Sequence, residues 1–443
     1  MIGPAAGCCA AGAGPGGASG LAEPSGIATL ALAQRSPVTA GTVGAREESS
    51  VAGEGPNAVG RVALVWDERA AGYDLGPGHP LAPVRVELTV DLIRRIGLLG
   101  RGVDEVLPRA LGEVELLRHH REDFIDTVRR LSWDPTARAE ERYGLGPGDT
   151  PAFQGMHEAS LLICAASVEA ARQVWEGEAD HAFNPAGGLH HAMPDRAAGF
   201  CIYNDPAIAI DWLLEHGAER VTYVDVDVHH GDGVELMFAD DPRVLTISLH
   251  ESGRFLFPGT GRADDIGGPK APGSAANVPL HPGTPGSVWL GAFDAVVEPL
   301  IRAFDADVMV TQLGCDTHAS DPLAHLALTT DDMAAIYDRL HRLAHETAAG
   351  RWVALGGGGY QLVKVVPRAW TLAFAEMAGR PVPVETPMGW RERAVERTGD
   401  VPPTAFLEGP VQLSEAMREQ AAQEARASVT ALRELLLPLH GVR

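Results

Sequence analysis

A few short stretches of this chain concentrate residues able to do chemistry. In Val224-Asp225-Val226-Asp227-Val228-His229-His230-Gly231-Asp232, two carboxylates and an imidazole recur at every second position. On a strand such positions share one face, so Asp225, Asp227 and His229 point together as long as the strand persists. Burying three such groups in apolar surroundings is costly unless a cation compensates. A carboxylate and an imidazole two residues apart can hold one borderline ion such as Zn2+. Leu313-Gly314-Cys315-Asp316-Thr317-His318 ends a different apolar run. Asp316 can add a third ligand, and three protein ligands with an open position describe a catalytic rather than a structural site. Cys315 faces the other way on a strand and reads as core packing.

Gly187-Gly188-Leu189-His190-His191-Ala192 places two imidazoles in a Gly-rich loop. One can take a proton from water while the other holds positive charge. Asp225 and Asp232 are available to orient them. His119-His120, in a charged helical stretch, reads instead as a solvated pair. Gly356-Gly357-Gly358-Gly359-Tyr360 lacks the Lys-Ser/Thr of a phosphate loop. Its glycines let backbone approach a ligand, and Tyr360 can present a hydroxyl to a developing oxyanion. Phe200, after Gly199, and Phe257, before Pro258-Gly259, can wall an apolar channel, although core packing is the simpler reading of either. Asn204-Asp205-Pro206 is a normal helix start.

The elements that position these groups alternate. Val62 to Trp66, Val221 to Val228, Val244 to Leu249, Val308 to Leu313 and Trp352 to Leu355 are apolar and rich in β-branched residues, as buried strands are. Met156 to Trp175, Pro206 to His216, Val288 to Phe304, Asp331 to Ala348 and Val363 to Ala378 read as helices. The alternation argues for an α/β fold with a parallel sheet covered on both faces, whose ligands bind at the carboxyl ends of the strands. Residues 1–60, rich in Gly, Ala, Pro and Ser, are expected to be a disordered extension or to follow a start assigned too early. Residues 61–380 are expected to form one catalytic domain, and residues 381–443 a Pro-rich segment and a helix from Leu413 to Leu436.

The 443 residues carry 36 Lys+Arg against 59 Asp+Glu, a net charge of −23. Such acidity disfavours general nucleic-acid binding, which needs clustered cations on phosphates. It also suits attraction of lysine-rich protein segments. No apolar run approaches the roughly 20 residues that span a bilayer. Five cysteines do not make a disulfide scaffold in a chain this long, so a reducing, cytoplasmic setting is expected.

Together these segments resemble the zinc-dependent histone deacetylase family, and within it the bacterial acetoin-utilisation deacetylases. The resemblance covers about Arg61 to Gly379. It rests on Gly78-His79-Pro80-Leu81, Tyr143 to Gly146, Gly187 to Ala192, Gly199 to Asp205, Tyr223 to Gly233, Phe257 to Gly261, Leu313 to Thr317 and Gly356 to Tyr360, in the family's order. It implies an arginase–deacetylase fold, with a central parallel sheet of about eight strands and helices on both faces. It implies Asp227, His229 and Asp316 as zinc ligands, a set that ferrous iron could also occupy. His191 then matches the general base and acid, oriented by Asp232, and His190 the electrostatic histidine paired with Asp225. Tyr360 matches the hydroxyl that holds the oxyanion. Gly199, Phe200, Phe257 and Leu323 match the channel, Asp149 the rim aspartate, and Arg85 the acetate-release region. A structural potassium ion would use Asp225, Asp227, His229, Ser248 and Leu249.

The implied reaction is removal of acetyl groups from N-ε-acetyl-lysine of proteins, by water activated at the metal. An acyl-CoA synthetase is one implied substrate. An acetylpolyamine amidohydrolase is the first alternative. Polyamine-selective relatives place an acidic gatekeeper at the channel mouth, where this chain has Asp321-Pro322-Leu323 with apolar Leu323. A non-catalytic acetyl-lysine binding protein is the second alternative, and it predicts a broken metal or oxyanion set. None of the matched residues is missing.

Overall fold

The computed structural model describes residues 60–138 and 141–442. The expectation for the N-terminal extension falls on residues outside these, save Gly60. Strands β1 (Val62–Val65), β2 (Val103–Val106), β3 (His181–Asn184), β4 (Val221–Asp225), β5 (Val244–Glu251), β6 (Ala275–Leu280), β7 (Val308–Gln312) and β8 (Trp352–Leu355) form one sheet. Their order is β2-β1-β3-β8-β7-β4-β5-β6, and every neighbouring pair is parallel. β1, β4, β5, β7 and β8 are buried along their whole length, which is why they read as apolar runs, and β3, equally buried, was not foreseen because polar His181 and Asn184 end it.

Buried clusters lie on both faces of the sheet. Alternate residues of β1 divide between them, Val62 and Leu64 in one and Ala63 and Val65 in the other. The Met156–Trp175 and Asp205–Glu215 helices start and end within a residue of the sequence expectation. The stretch expected as one helix from Val288 to Phe304 is instead Gly286–Ala292, a π-helical turn at Phe293–Val297, and Glu298–Phe304. Pro299 accounts for the break, since it cannot donate to the preceding turn. Residues beyond 380 form the Met388–Thr398 and Glu415–Leu435 helices. Trp390 is fully buried with its indole N–H donating to the Leu88 carbonyl at 2.9 Å, and Ser428 donates to the Pro279 carbonyl at 2.7 Å.

One correction concerns β4. It ends at Asp225, so strand alternation does not carry Asp227 and His229 to a shared face. The loop after the strand does that work.

Candidate active site

Four adjacent strands, β3, β8, β7 and β4, end beside one another and release the loops that hold the expected chemistry. Asp227, His229 and Asp316 converge in this cleft, with one potential ligand atom of each within 4.8 Å of the others and all three residues buried. Backbone N–H groups fix the carboxylates. The amide of His229 donates to Asp227 at 3.0 Å and that of Gly358 at 2.7 Å, while the amide of Val228 donates to Asp316 at 2.8 Å. The Gln312 amide also donates to Asp227 at 2.7 Å. His229 Nδ1 lies 3.0 Å from Asp227 and 3.2 Å from Asp316.

This donor set fits a divalent cation. Burial works against charge on His229, yet hydrogen bonds to Asp227 and Asp316 raise its pKa to about 10. A proton there fills the place of a positive ion. Burial and the Asp227 charge push Asp316 up to about 7, as expected for two buried carboxylates forced together, even with His229 beside them. Gly358 is required by the approach: a Cβ there would lie 2.2 Å from an Asp316 oxygen and 2.7 Å from an Asp227 oxygen. The poly-Gly stretch is therefore a backbone wall against the ligand carboxylates.

Beside the ligands, His190 and His191 meet at their Nε2 atoms, 3.0 Å apart. His190 Nδ1 is 2.7 Å from Asp225, and His191 Nδ1 is 2.7 Å from Asp232. Their environments push them apart. Burial opposes charge on His190, but Asp225 and Asp227 overcome it and raise its pKa to about 9. Burial, then the charge on His190, lowers His191 to about 4. One ring is cationic and the other neutral at pH 7, the division that acid–base chemistry needs. Tyr223 donates to Asp225 at 2.7 Å, a partner two residues upstream that strand alternation could have flagged.

Aromatic rings line the approach. Phe257 stands edge-on to His191 with centroids 5.0 Å apart, and Phe200 is edge-on to Tyr360 at 5.7 Å. Phe257 is 43% exposed, too open for a core residue. Phe200 has φ of 70° and is pinned there: its carbonyl accepts from the Tyr73 hydroxyl at 2.7 Å, and its N–H donates to Thr150 at 3.1 Å. Gly199 has no room for a side chain, since a Cβ would sit 2.4 Å from the His191 ring. Asp149 is exposed on its loop, and its carbonyl lies 3.1 Å from His79 Nε2. Arg85 is buried beneath the Gly-rich loop, donates to the Gly357 carbonyl at 2.7 Å and lies over the Trp370 ring.

Leu323 is half-buried, and Asp321 in the same turn faces inward. The Asp321 carboxylate accepts from the Tyr360 N–H at 2.8 Å and from the Leu323 N–H at 3.0 Å. Burial raises the Tyr360 pKa well above its usual value, followed by Asp316 and Asp227, so the hydroxyl stays a donor. Cys315 is fully buried as expected, although it lies in the loop after β7 ends at Gln312 and not on the strand.

One expectation changes. His120 is 2% exposed, not solvated. Its Nδ1 lies 3.0 Å from the Met193 carbonyl, and its Nε2 accepts from the Asn204 N–H at 2.9 Å. Asn204 caps its helix by accepting from the Ala207 N–H. It also donates at 3.0 Å to the carbonyls of both His190 and Ala192. His120 and Asn204 thus brace the two-histidine loop, a role with no trace in local periodicity.

Residues 79–377 match the histone deacetylase domain. The chain is 44% identical to the acetoin utilization protein AcuC of Bacillus subtilis (strain 168), over 70% of this chain and 81% of that protein. It is 36% identical to the AcuC of Staphylococcus xylosus, again over 70% and 81%. Two solved structures are similar. One is a histone deacetylase homologue complexed with SAHA, at a TM-score of 0.74 and 29% identity, covering 83% of this chain and 100% of the other. The second is the homologue from Aquifex aeolicus, at 0.72 and 28%, covering 82% and 100%. With the parallel eight-stranded sheet and the cleft at its carboxyl end, these likenesses place the chain in the histone deacetylase family, as a deacetylase hydrolase of the bacterial acetoin-utilisation type with the arginase–deacetylase fold.

Proposed function

We propose that this chain removes acetyl groups from N-ε-acetyl-lysine in proteins, with Zn2+ held by Asp227, His229 and Asp316. The observation that carries the reading is the pair of imidazoles in contact, each tied to its own carboxylate, beside that buried set of candidate ligands. When bound, the metal supplies Lewis acidity toward the acetyl oxygen and the attacking water, and Fe2+ could supply the same from these ligands.

The chain's own groups do the rest. Neutral His191, with Nδ1 tied to Asp232, takes a proton from water at Nε2 as the oxygen adds to the acetyl carbon. Cationic His190 and the Tyr360 hydroxyl offset the negative charge that grows on the carbonyl oxygen. The carbon–nitrogen bond then breaks and His191 returns its proton to the leaving amine. Acetate and a free lysine are released. Phe200 and Phe257 enclose the lysine stem, and exposed Asp149 faces the peptide main chain at the rim. Arg85, beneath the loop, attracts the acetate product.

We assign a structural potassium ion to Asp225, Asp227, His229, Ser248 and Leu249. The pairing of Asp225 with Ser248 across β4 and β5 supports it. A lower melting temperature when potassium is replaced by choline is its expected signature. The relatives named for acetoin utilization favour a metabolic enzyme as substrate, with an acyl-CoA synthetase first to be tried, and a cytoplasmic setting. None of the described helices is long and apolar enough to cross a membrane.

The test compares acetyl-lysine peptides with N-acetylated polyamines, using zinc-loaded wild type and Tyr360→Phe. Turnover of peptides by the wild type, greatly reduced in the variant, supports the reading. Good turnover of polyamines with none of any peptide would sink it in favour of a small-molecule amidohydrolase.

A further inference from the structure

Away from the catalytic cleft, at the opposite ends of the same strands, three histidines face one another. His181 is the first residue of β3 and is buried. His341 and His345 are four residues apart on the Thr330–Thr347 helix, hence on one face. His341 Nε2 lies 3.1 Å from His181 Nε2 and 3.0 Å from His345 Nε2. Nitrogen ligands at ordinary zinc distances around a tetrahedral ion sit about 3.3 Å apart, close to this spacing.

Hydrogen bonding alone does not explain the cluster. His341 Nδ1 is 2.8 Å from the Glu376 carboxylate, so that nitrogen carries the ring proton. His341 Nε2 then has one in-plane lone pair for two imidazole neighbours. A cation resolves the conflict by taking one lone pair from each ring. The carboxylate behind His341 is the partner that orients a ligating histidine. The rings are also set in place. His341 stacks on Trp352 with centroids 5.8 Å apart, and His181 meets the same indole edge-on at 5.9 Å. Burial and the neighbouring imidazoles lower the His181 pKa to about 3, which keeps that ring in its neutral, ligating form.

We propose that His181, His341 and His345 form a second metal site, which takes a borderline divalent transition ion such as Zn2+, with Glu376 orienting His341. All-imidazole coordination suits zinc and its neighbours in the first transition row. His345 is exposed, so ions can enter from solvent and a fourth position remains for water. The site joins a strand to a helix 160 residues later in the chain, which gives it a structural rather than a catalytic role.

The experiment uses the untagged full-length chain, dialysed against Zn2+ and analysed for bound metal. About two equivalents per chain are expected for the wild type, and about one for His345→Ala. Added Zn2+ should raise the melting temperature of zinc-saturable wild type more than that of His345→Ala. Glu376→Gln should weaken the second equivalent by roughly 10- to 100-fold. Deacetylase kcat/KM should stay within about twofold in both variants, as these residues lie outside the catalytic cleft. Equal metal content in wild type and His345→Ala would overturn the proposal. So would loss of the cleft metal and of activity together, because the variant would then be reporting on the catalytic site. Exposure of His345 makes its replacement tolerable to the fold, and Glu376→Gln supplies an independent reading.

Discussion

Asp227, His229 and Asp316 at the strand ends, and His181, His341 and His345 at the strand starts, both gather three ligating side chains within 4.8 Å. They do so by different means. The first set sits on loops released by β4 and β7, and main-chain N–H groups of Val228, His229 and Gly358 hold its carboxylates. It carries two buried negative charges, so electrostatics demands a cation. The second set sits on regular elements and is made of imidazoles alone. Only the geometry of its lone pairs calls for an ion. A charged, loop-built site can be shaped around a reaction, whereas an all-imidazole site on a strand and a helix is suited to fastening them.

The largest difference between the two ends should appear on removal of ligands. Asp227→Ala, His229→Ala or Asp316→Ala should lower activity by roughly three orders of magnitude or more, with loss of cleft metal measured in parallel. Retained activity in a metal-free variant would erase the distinction drawn here. On the proposed mechanism, Tyr360→Phe removes only an oxyanion donor. It should cost about 10²- to 10³-fold in kcat with little change in KM. A KM effect alone would make Tyr360 a binding residue.

A smaller effect lies between the two ends. The Thr330–Thr347 helix carries His341 and His345, and its first N–H donates to Glu408 at 3.2 Å. The same carboxylate binds His318, two residues beyond Asp316, and accepts from Arg368 at 2.8 Å. Burial opposes its ionisation, but His318 and Arg368 hold its pKa at about 2. A depressed folded-state pKa stabilises above the ordinary glutamate range, and that stability is lost as pH falls toward 2. Glu408→Gln should cost about 1–2 kcal/mol at pH 7, after allowance for partial exposure, in urea melts. The gap should close from about pH 4.5 downward.

The smallest expected effect concerns long-range attraction. Raising salt from about 50 to 500 mM should reduce kcat/KM on lysine-rich acetylated peptides by a few fold, and leave neutral peptides unchanged. Insensitivity would remove the −23 net charge from the account of substrate capture. The set Asp227, His229 and Asp316 should not respond, since buried groups are little screened.

Much of the catalytic end was legible from residue types. Asp227, His229, Asp316 and Tyr360 each follow an apolar run, His190 and His191 sit in a Gly-rich loop, and all reach the cleft, Asp227 and His229 by a loop and not by strand alternation. Strands β2, β3 and β6 escaped notice: β2 exposes Asp104 and Glu105, β3 begins and ends on polar His181 and Asn184, and β6 contains Pro279. His120 was misread because its partners, Met193 and Asn204, are more than 70 residues away. Asp321 enters the sequence reading only as part of Asp321-Pro322-Leu323, whereas its carboxylate accepts from the Tyr360 N–H 39 residues away.

By itself the sequence determined the alternation of strands and helices, the parallel sheet and the chemistry available at the strand ends. Those follow from burial on both sheet faces and from side-chain types, which act over a few residues. Tertiary structure decided which groups meet. The order β3-β8-β7-β4 brings four loops, scattered from Gly187 to Tyr360, to one cleft. It also sets His181 against His341 and His345 at the other end. The proton distribution belongs to that level too. His190 and His191 are adjacent and chemically identical, and only their surroundings separate them: Asp225 and Asp227 raise the first, while burial and the charge on His190 lower the second.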